Sequence, residues 1–257
     1  MNHAKPKVAI IIPARLGSSR FPNKPLAPIL GVPMIEMVYR NAAETPHVDV
    51  VAVATCDEEI ADLILGIGGI AVMTSAAHQR ATDRTAEAIL HLEADRGAHF
   101  DIVVMLQGDE PVISPDQLTQ IVDAMTSDPE VLVTNLVGEI LTESEFLDPN
   151  CIKVVSDLNN NALYFSRHPI PHGADHSNSA VGKQVCAIGF RRDYLLEYLD
   201  LAPTILEEAE SIDMLRILQH GQAVRMIRTG QRTQSVDVHE DIAIVEQLLG
   251  RSSTPGT

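Results

Sequence analysis

Apolar positions along this chain fall into two patterns, short runs and stripes at helical spacing, and through the first half the two alternate. Residues 8–12, 48–54, 70–73, 102–106 and 131–136 are largely apolar and rich in β-branched side chains, as strands buried on both faces of a sheet are. Between them lie stripes that suit one face of a helix: Met34, Ile35, Val38 and Ala42; then Ile60, Leu63, Ile64 and Ile67. Two more follow, Ala86, Ile89, Leu90 and Leu92 within 82–96, and Leu118, Ile121, Val122 and Met125. The punctuation agrees. Gly31-Val32-Pro33 predicts a turn, Asp57 a helix cap, and Gly66, Gly68 and Gly69 a helix end. Ser114-Pro115-Asp116-Gln117 has the form of a capping box with proline at the first helical position. Regular alternation of this kind predicts right-handed strand–helix–strand crossovers, hence an α/β fold with a mostly parallel sheet.

After about residue 137 the pattern changes. Residues 152–156 and 162–165 flank the polar run Asp157-Leu158-Asn159-Asn160-Asn161 and predict a hairpin. A His-, Pro- and Gly-rich loop at 167–182 precedes a strand at 185–190, helices at 193–201 and 206–220, a strand at 224–227 and a last helix at 239–249. The expectation is one domain over 1–250 with a smaller mixed subdomain inserted at about 138–205, and a disordered tail at 251–257.

Composition narrows the function classes. The chain has 257 residues, 45% of them hydrophobic and 21% charged, as ordinary globular proteins have. No apolar stretch approaches the ~20 residues that span a bilayer, and residues 1–7 lack the apolar segment of a signal peptide. A cytoplasmic protein with no membrane partner is expected. A formal charge of −16 argues against nucleic-acid binding, which needs a broad basic surface. Cys56, Cys151 and Cys186 are widely separated and suggest no disulfide framework. His168, His172 and His176 recur every four residues, but Pro169, Pro171 and Gly173 argue against the helix that would align them on zinc.

Against this acidic background the loop after the first strand stands out. It carries Arg15, Ser18, Ser19, Arg20 and Lys24, and the first acidic residue of the chain is Glu36. Strand ends are where open α/β sheets bind ligands, so a wholly cationic loop there points to an anion, and a triphosphate fits its charge. The loop is neither a P-loop nor a G-x-G-x-x-G turn. Gln107-Gly108-Asp109-Glu110-Pro111 places Asp109 at the end of a buried strand, where a carboxylate suits Mg²⁺. Asp237 precedes the last helix and is either a second ligand for that ion or, like Ser235, a helix cap.

Taken together these segments resemble the 3-deoxy-manno-octulosonate cytidylyltransferases, the CMP-Kdo synthetases. The likeness is carried by Ile12-Pro13-Ala14-Arg15 through Ser19-Arg20-Phe21-Pro22 and Lys24-Pro25-Leu26, then Thr82-Asp83-Arg84 and Gln107 to Pro111. It continues in Asn150 to Val155, Tyr164-Phe165-Ser166-Arg167 with Ile170-Pro171, Leu206-Glu207, Glu210, Leu215-Arg216 and Val236-Asp237. The resemblance implies a nucleotide-diphospho-sugar transferase-like sandwich whose insertion serves as sugar lid and homodimer interface. It implies CMP transfer from CTP to the anomeric hydroxyl of a 3-deoxy-2-ulosonic acid, with Mg²⁺ and release of pyrophosphate. By the same analogy Ala14, Arg15, Ser19, Arg20 and Lys24 hold the triphosphate, Arg84 and Gln107 line the nucleotide–sugar junction, and Asp109 and Asp237 ligate the metal. Arg167, Gln184, Ile188, Glu210 and Asp213 fall on the sugar side.

Departures from the family pattern concentrate on that sugar side. A Lys-His-x-Gly-Ile-Tyr segment reads Lys183-Gln184-Val185-Cys186-Ala187-Ile188, and a Glu-Gln pair reads Asp213-Met214. Losing hydrogen-bonding groups alters which hydroxyls are recognised, so a variant acceptor such as an amino-Kdo is the near alternative to Kdo. A CTP-binding homologue without catalysis and a glycosyltransferase are the rival classes. The second would more typically carry Asp-x-Asp where this chain has Gly108-Asp109-Glu110.

Overall fold

A computed structural model describes residues 5–17, 21–178 and 180–252. The chain forms two compact units, residues Met1–Thr119 with Thr233–Thr257, and residues Gln120–Arg232. The insertion expected at about 138–205 lies inside the second unit, which extends beyond it on both sides. Of the expected tail, residues 251 and 252 continue the last helix and the rest lies outside the described residues.

The first unit begins with β1 (Val8–Pro13), a 3-10 turn at Lys24–Leu26, and a tight hairpin of β2 (Pro28–Ile29) and β3 (Val32–Pro33). The hairpin turn is Leu30-Gly31, both at positive φ, the left-handed pair that two-residue hairpins favour; the turn expected at 31–33 is thus centred earlier. Next come α1 (Met34–Ala43), β4 (Val50–Thr55), α2 (Glu58–Gly66), β5 (Ala71–Met73), α3 (Ala81–Arg96) and β6 (Ile102–Leu106). Then α4 (Pro115–Ser127) carries the chain into the second unit. The parallel pairings β6–β1, β1–β4 and β4–β5 make the sheet that the alternation predicts. Every residue of β1, β4 and β6 is buried, and α1 buries the stripe read from sequence, Met34, Ile35, Val38 and Ala42. The capping box before α4 forms as expected: Ser114 N–H donates to Gln117 Oε1 at 2.9 Å and Gln117 N–H to Ser114 Oγ at 3.2 Å.

The second unit contains β7 (Val133–Gly138), α5 (Glu143–Leu147), β8 (Lys153–Ser156), β9 (Ala162–Ser166) and β10 (Val181–Arg191). After these come α6 (Arg192–Asp200), α7 (Ile205–Glu210), α8 (Met214–Gln219) and β11 (Arg225–Arg228). Its pairings are mixed: β11 runs parallel to β7, whereas β10–β7, β10–β8 and β8–β9 are antiparallel. Gly189 of β10 is required by close packing, because a Cβ there would lie 2.5 Å from Thr134 Oγ1 and 2.6 Å from Met125 Sδ. The chain returns to the first unit for α9 (Asp241–Ser252). Among the described residues no helix is long and apolar enough to cross a membrane.

The single helix expected over 206–220 is two. Ser211 takes left-handed geometry (φ 55°) and ends α7, and the restart brings Arg216 of α8 back onto Glu207. Arg216 Nε and Nη2 donate to the two carboxylate oxygens at 2.6 Å each, with Glu207 fully buried. The Glu207 partnership pushes the Arg216 guanidinium above its ordinary pKa. Removing one charge leaves the other buried without its partner, which typically costs about 3–5 kcal/mol. Glu207→Gln should therefore lower stability on that scale in urea denaturation; a loss under about 1 kcal/mol would place the pair among weak surface bridges.

Candidate active site

The C-terminal ends of the first unit's strands are joined by one ion pair. Asn23, in left-handed geometry (φ 57°), leads into the 3-10 turn that carries Lys24. Lys24 Nζ donates to Asp109 Oδ2 at 2.6 Å and to the Val236 carbonyl at 2.9 Å. Val236 N–H donates in turn to the Asp109 carbonyl at 2.9 Å. The turns bearing Asp109 and Asp237 are thus stitched backbone to backbone, and the ammonium closes the stitch. At Gly108 the turn packs tightly on α1, where a Cβ would stand 3.0 Å from Ile35 Cδ1. Ahead of α9, Asp241 Oδ2 accepts the N–H groups of Asp237 and Val238 at 2.7 and 2.9 Å.

The cationic loop is anchored at its start by a residue with another expected role. Asp57 makes no side-chain cap on α2; its Oδ2 accepts Leu16 N–H at 2.8 Å. Local spacing pointed to the cap, and nothing in the sequence marks a contact 41 positions away. Ala14 is buried with its N–H on the Ala54 carbonyl at 2.9 Å, while Arg15 is exposed and donates from Nη1 to the His78 carbonyl at 3.4 Å. Ser18, Ser19 and Arg20, expected to complete the phosphate contacts, lie outside the described residues.

Helix α3 holds the strand-end segment at 73–78 through residues spaced to share one face. Arg84 Nη1 donates to Thr74 Oγ1. Glu87 accepts Ser75 N–H at 2.8 Å and pairs with His78 Nε2 at 2.5 Å. His91 Nδ1 meets the Met73 carbonyl at 3.2 Å. Burial works against its charge, but the Ser75 and His78 hydrogen bonds hold the Glu87 carboxyl below its ordinary pKa. Arg84 is only 3% exposed and its Nη2 is without a partner among the described residues, so a buried cation keeps one donor group open. Gln107 is half-buried at the end of β6.

The residues expected on the sugar side belong to the second unit. The Glu210 carboxylate accepts Ser166 Oγ and Arg167 N–H at 2.8 Å each, and Tyr164 Oη at 3.4 Å. Burial, then the Glu210 charge, raises the Tyr164 pKa. Arg167 donates to three backbone carbonyls, those of Glu210 (2.6 Å), Pro149 (2.9 Å) and Ser211 (3.3 Å). Three of its five donors therefore fasten loops. Gln184 Nε2 donates to Asn135 Oδ1 at 2.6 Å, beside an irregularity in β10 between Gln184 and Ile188. The amide of fully buried Asn135 closes it, donating to the Val185 carbonyl at 2.7 Å. Ile188 is buried and offers shape without hydrogen bonding. Asp213 stands directly before α8. Lys153 lies in the 150–155 segment of the family likeness, but sequence reasoning gives it no role; it is fully buried, and its ammonium donates to the carbonyls of Asp148, Cys151 and Arg167 at 2.6–2.8 Å. Burial lowers its pKa, and burial pushes the neighbouring Cys151 thiol up to about 11.

A parallel sheet with a cationic loop and a paired carboxylate turn at its strand ends is the arrangement of a nucleotidyltransferase. Residues 9–228 match the family model described as cytidylyltransferase. The chain is 39% identical over 256 residues to the 3-deoxy-manno-octulosonate cytidylyltransferase of Geobacter metallireducens, covering 95% of this chain and 98% of that one. It is 41% identical over 244 residues to the corresponding enzyme of Desulfatibacillum aliphaticivorans, with 95% and 98% covered. A solved structure of CMP:2-keto-3-deoxy-manno-octonic acid synthetase complexed with CTP matches with a TM-score of 0.85 at 36% identity, covering 96% of this chain and 99% of that chain. The chain belongs to the 3-deoxy-manno-octulosonate cytidylyltransferase family.

The Asp57 anchor gives a direct test. Asp57→Ala leaves the Leu16 N–H without its acceptor, a loss of about 1–2 kcal/mol. Faster amide exchange at Leu16, with β1 itself still protected, is the expected signature.

Proposed function

We propose that this chain transfers CMP from CTP to the anomeric hydroxyl of a 3-deoxy-2-ulosonic acid, Kdo in the first instance, releasing pyrophosphate. The observation that carries the reading is the Lys24–Asp109–Val236 junction, which sets a cation and two carboxylate-bearing turns at the strand ends beside the cationic loop.

Each residue has a role that its chemistry supports. Arg15 and Lys24 neutralise the triphosphate and the charge that builds on the departing pyrophosphate, with Arg20 assigned the same role by family resemblance. Arg84, with a buried open donor, and half-buried Gln107 are assigned by family resemblance to the junction of nucleotide and sugar. The sugar hydroxyl attacks the α-phosphorus in line; its oxygen–phosphorus bond forms as the bond to pyrophosphate breaks. Arg167, Gln184, Ile188, Glu210 and Asp213 shape the acceptor side. In that group Arg167 and Glu210 also fasten backbone: Glu210 accepts Arg167 N–H and Ser166 Oγ, and Arg167 donates to the carbonyls of Glu210, Pro149 and Ser211.

Mg²⁺ is the proposed cofactor, and the donor set fits it. Asp109 and Asp237 are hard oxygen ligands on stitched turns, and Asp109 already holds a cationic group at 2.6 Å. Among the described residues no three His, Cys, Asp or Glu side chains gather into a metal cage. Two carboxylates leave the remaining positions to phosphate oxygens and water, as Mg²⁺ prefers. Asp109 and Asp237 would hold the ion, which would supply Lewis-acid stabilisation of the phosphate charge and of the attacking hydroxyl's oxyanion. A second copy of the chain is the proposed partner, supported by apolar side chains exposed in the second unit, Leu147 and Leu163. Cytoplasmic residence and a supply of activated Kdo to lipopolysaccharide belong to the same reading.

Pyrophosphate release from CTP and Mg²⁺ with a panel of ulosonic acids tests this. Release with Kdo or an amino-Kdo is expected, and CTP binding with release for no member of the panel would overturn it. Asp109→Ala should lower turnover by at least about 100-fold, the scale of one lost transition-state electrostatic contact; near-wild-type turnover would remove Asp109 from the metal site.

A further inference from the structure

We infer that Lys24 is the resident cation of the Asp109 site when no nucleotide is bound, so that a divalent ion gains the site only once a phosphate chain has drawn the ammonium away. This rests on the metal site proposed above and adds an order of events to it.

The geometry carries the inference. Lys24 Nζ lies 2.6 Å from Asp109 Oδ2 and 2.9 Å from the Val236 carbonyl, one acceptor on each of the turns assigned to the metal. The pair is largely withdrawn from water, with side-chain exposures of 14% and 21%, so its charges are less screened than on an open surface. The lysine is held from its own side too: Asn23 is in left-handed geometry and Pro25 is buried within the 3-10 turn. An ammonium and a divalent ion compete for the same Oδ2 lone pairs. Both at Asp109 together would set like charges within a few ångströms of each other. A triphosphate resolves the conflict, because its oxygens are alternative acceptors for Lys24 and ligands for the ion. Nucleotide and metal then favour each other's binding, and reciprocally so. A purely structural Lys24–Asp109 bridge makes no such demand.

Mn²⁺ titrations followed by electron paramagnetic resonance, on the full chain without nucleotide, distinguish the two. Lys24→Met should bind Mn²⁺ at least about fivefold more tightly than wild type, the lower end of the coupling between two competing ligands. Lys24→Gln should behave alike, and the gain should vanish in Lys24→Met combined with Asp109→Asn. In wild type, CTP alone should shift the backbone amide resonances of Asp109 and Val236 while millimolar Mg²⁺ alone leaves them in place; this arm needs no variant to fold. Unchanged Mn²⁺ affinity in both lysine variants, with wild type still binding Mn²⁺ alongside CTP, overturns the inference and spares the metal site. Absence of Mn²⁺ binding in wild type even with CTP overturns the metal site itself.

Discussion

One ammonium group organises the strand ends of the first unit. Lys24, Asp109 and Val236 come from three distant parts of the chain, and the two hydrogen bonds of Lys24 with the Asp109–Val236 backbone bond fix their turns to one another. The pair is largely withdrawn from water, so the turns gain a defined position from the same two residues that the proposed reaction would use. The same economy recurs at Asp57, whose carboxylate sets the start of the cationic loop, and at Arg84, which secures Thr74 and keeps a second donor open.

The second unit solves a different problem, that of backbone carbonyls in irregular connections. Buried carbonyls need donors, and here long cationic side chains supply them. Lys153 serves three, Arg167 three, and Arg191 three more, those of Met125, Asp128 and Val131. Asn135 does the same for the irregular stretch of β10. A positive charge in such a place is a scaffold for loops before it is a receptor for a ligand. Arg167 illustrates the point, since the Ser-Arg motif that carries the family likeness is, in this chain, a fastening.

Much of the first unit was legible in the sequence because its signals are local. The apolar runs at β1 and β6, the stripe of α1 and the capping box before α4 are each set by neighbours within a turn or two. The pairing of Lys24 with Asp109 was not legible, although both residues were singled out, because periodicity carries no information on contacts across 85 positions. Asp57 was misread for the same reason: a cap and a distant acceptor look alike in sequence. The break between α7 and α8 was hidden because Ser211 is neither glycine nor asparagine, the usual marks of left-handed geometry. Helix α5 is too short for a periodic stripe. Lys153 sits in a strand pattern where a lysine reads as solvent-facing, and only the surrounding carbonyls explain its burial.

The first unit is discontinuous, and that has a consequence for biosynthesis. Lys24 and Asp109 leave the ribosome early, whereas the Val236 carbonyl, 212 positions beyond Lys24, follows only after the whole second unit has been made. Domains fold largely in order of synthesis, yet this strand-end junction has to wait until the second unit, Gln120–Arg232, has been made. A nascent chain can pair Lys24 with Asp109, but the turn carrying Asp237 is stitched to them only after the intervening second unit has left the ribosome.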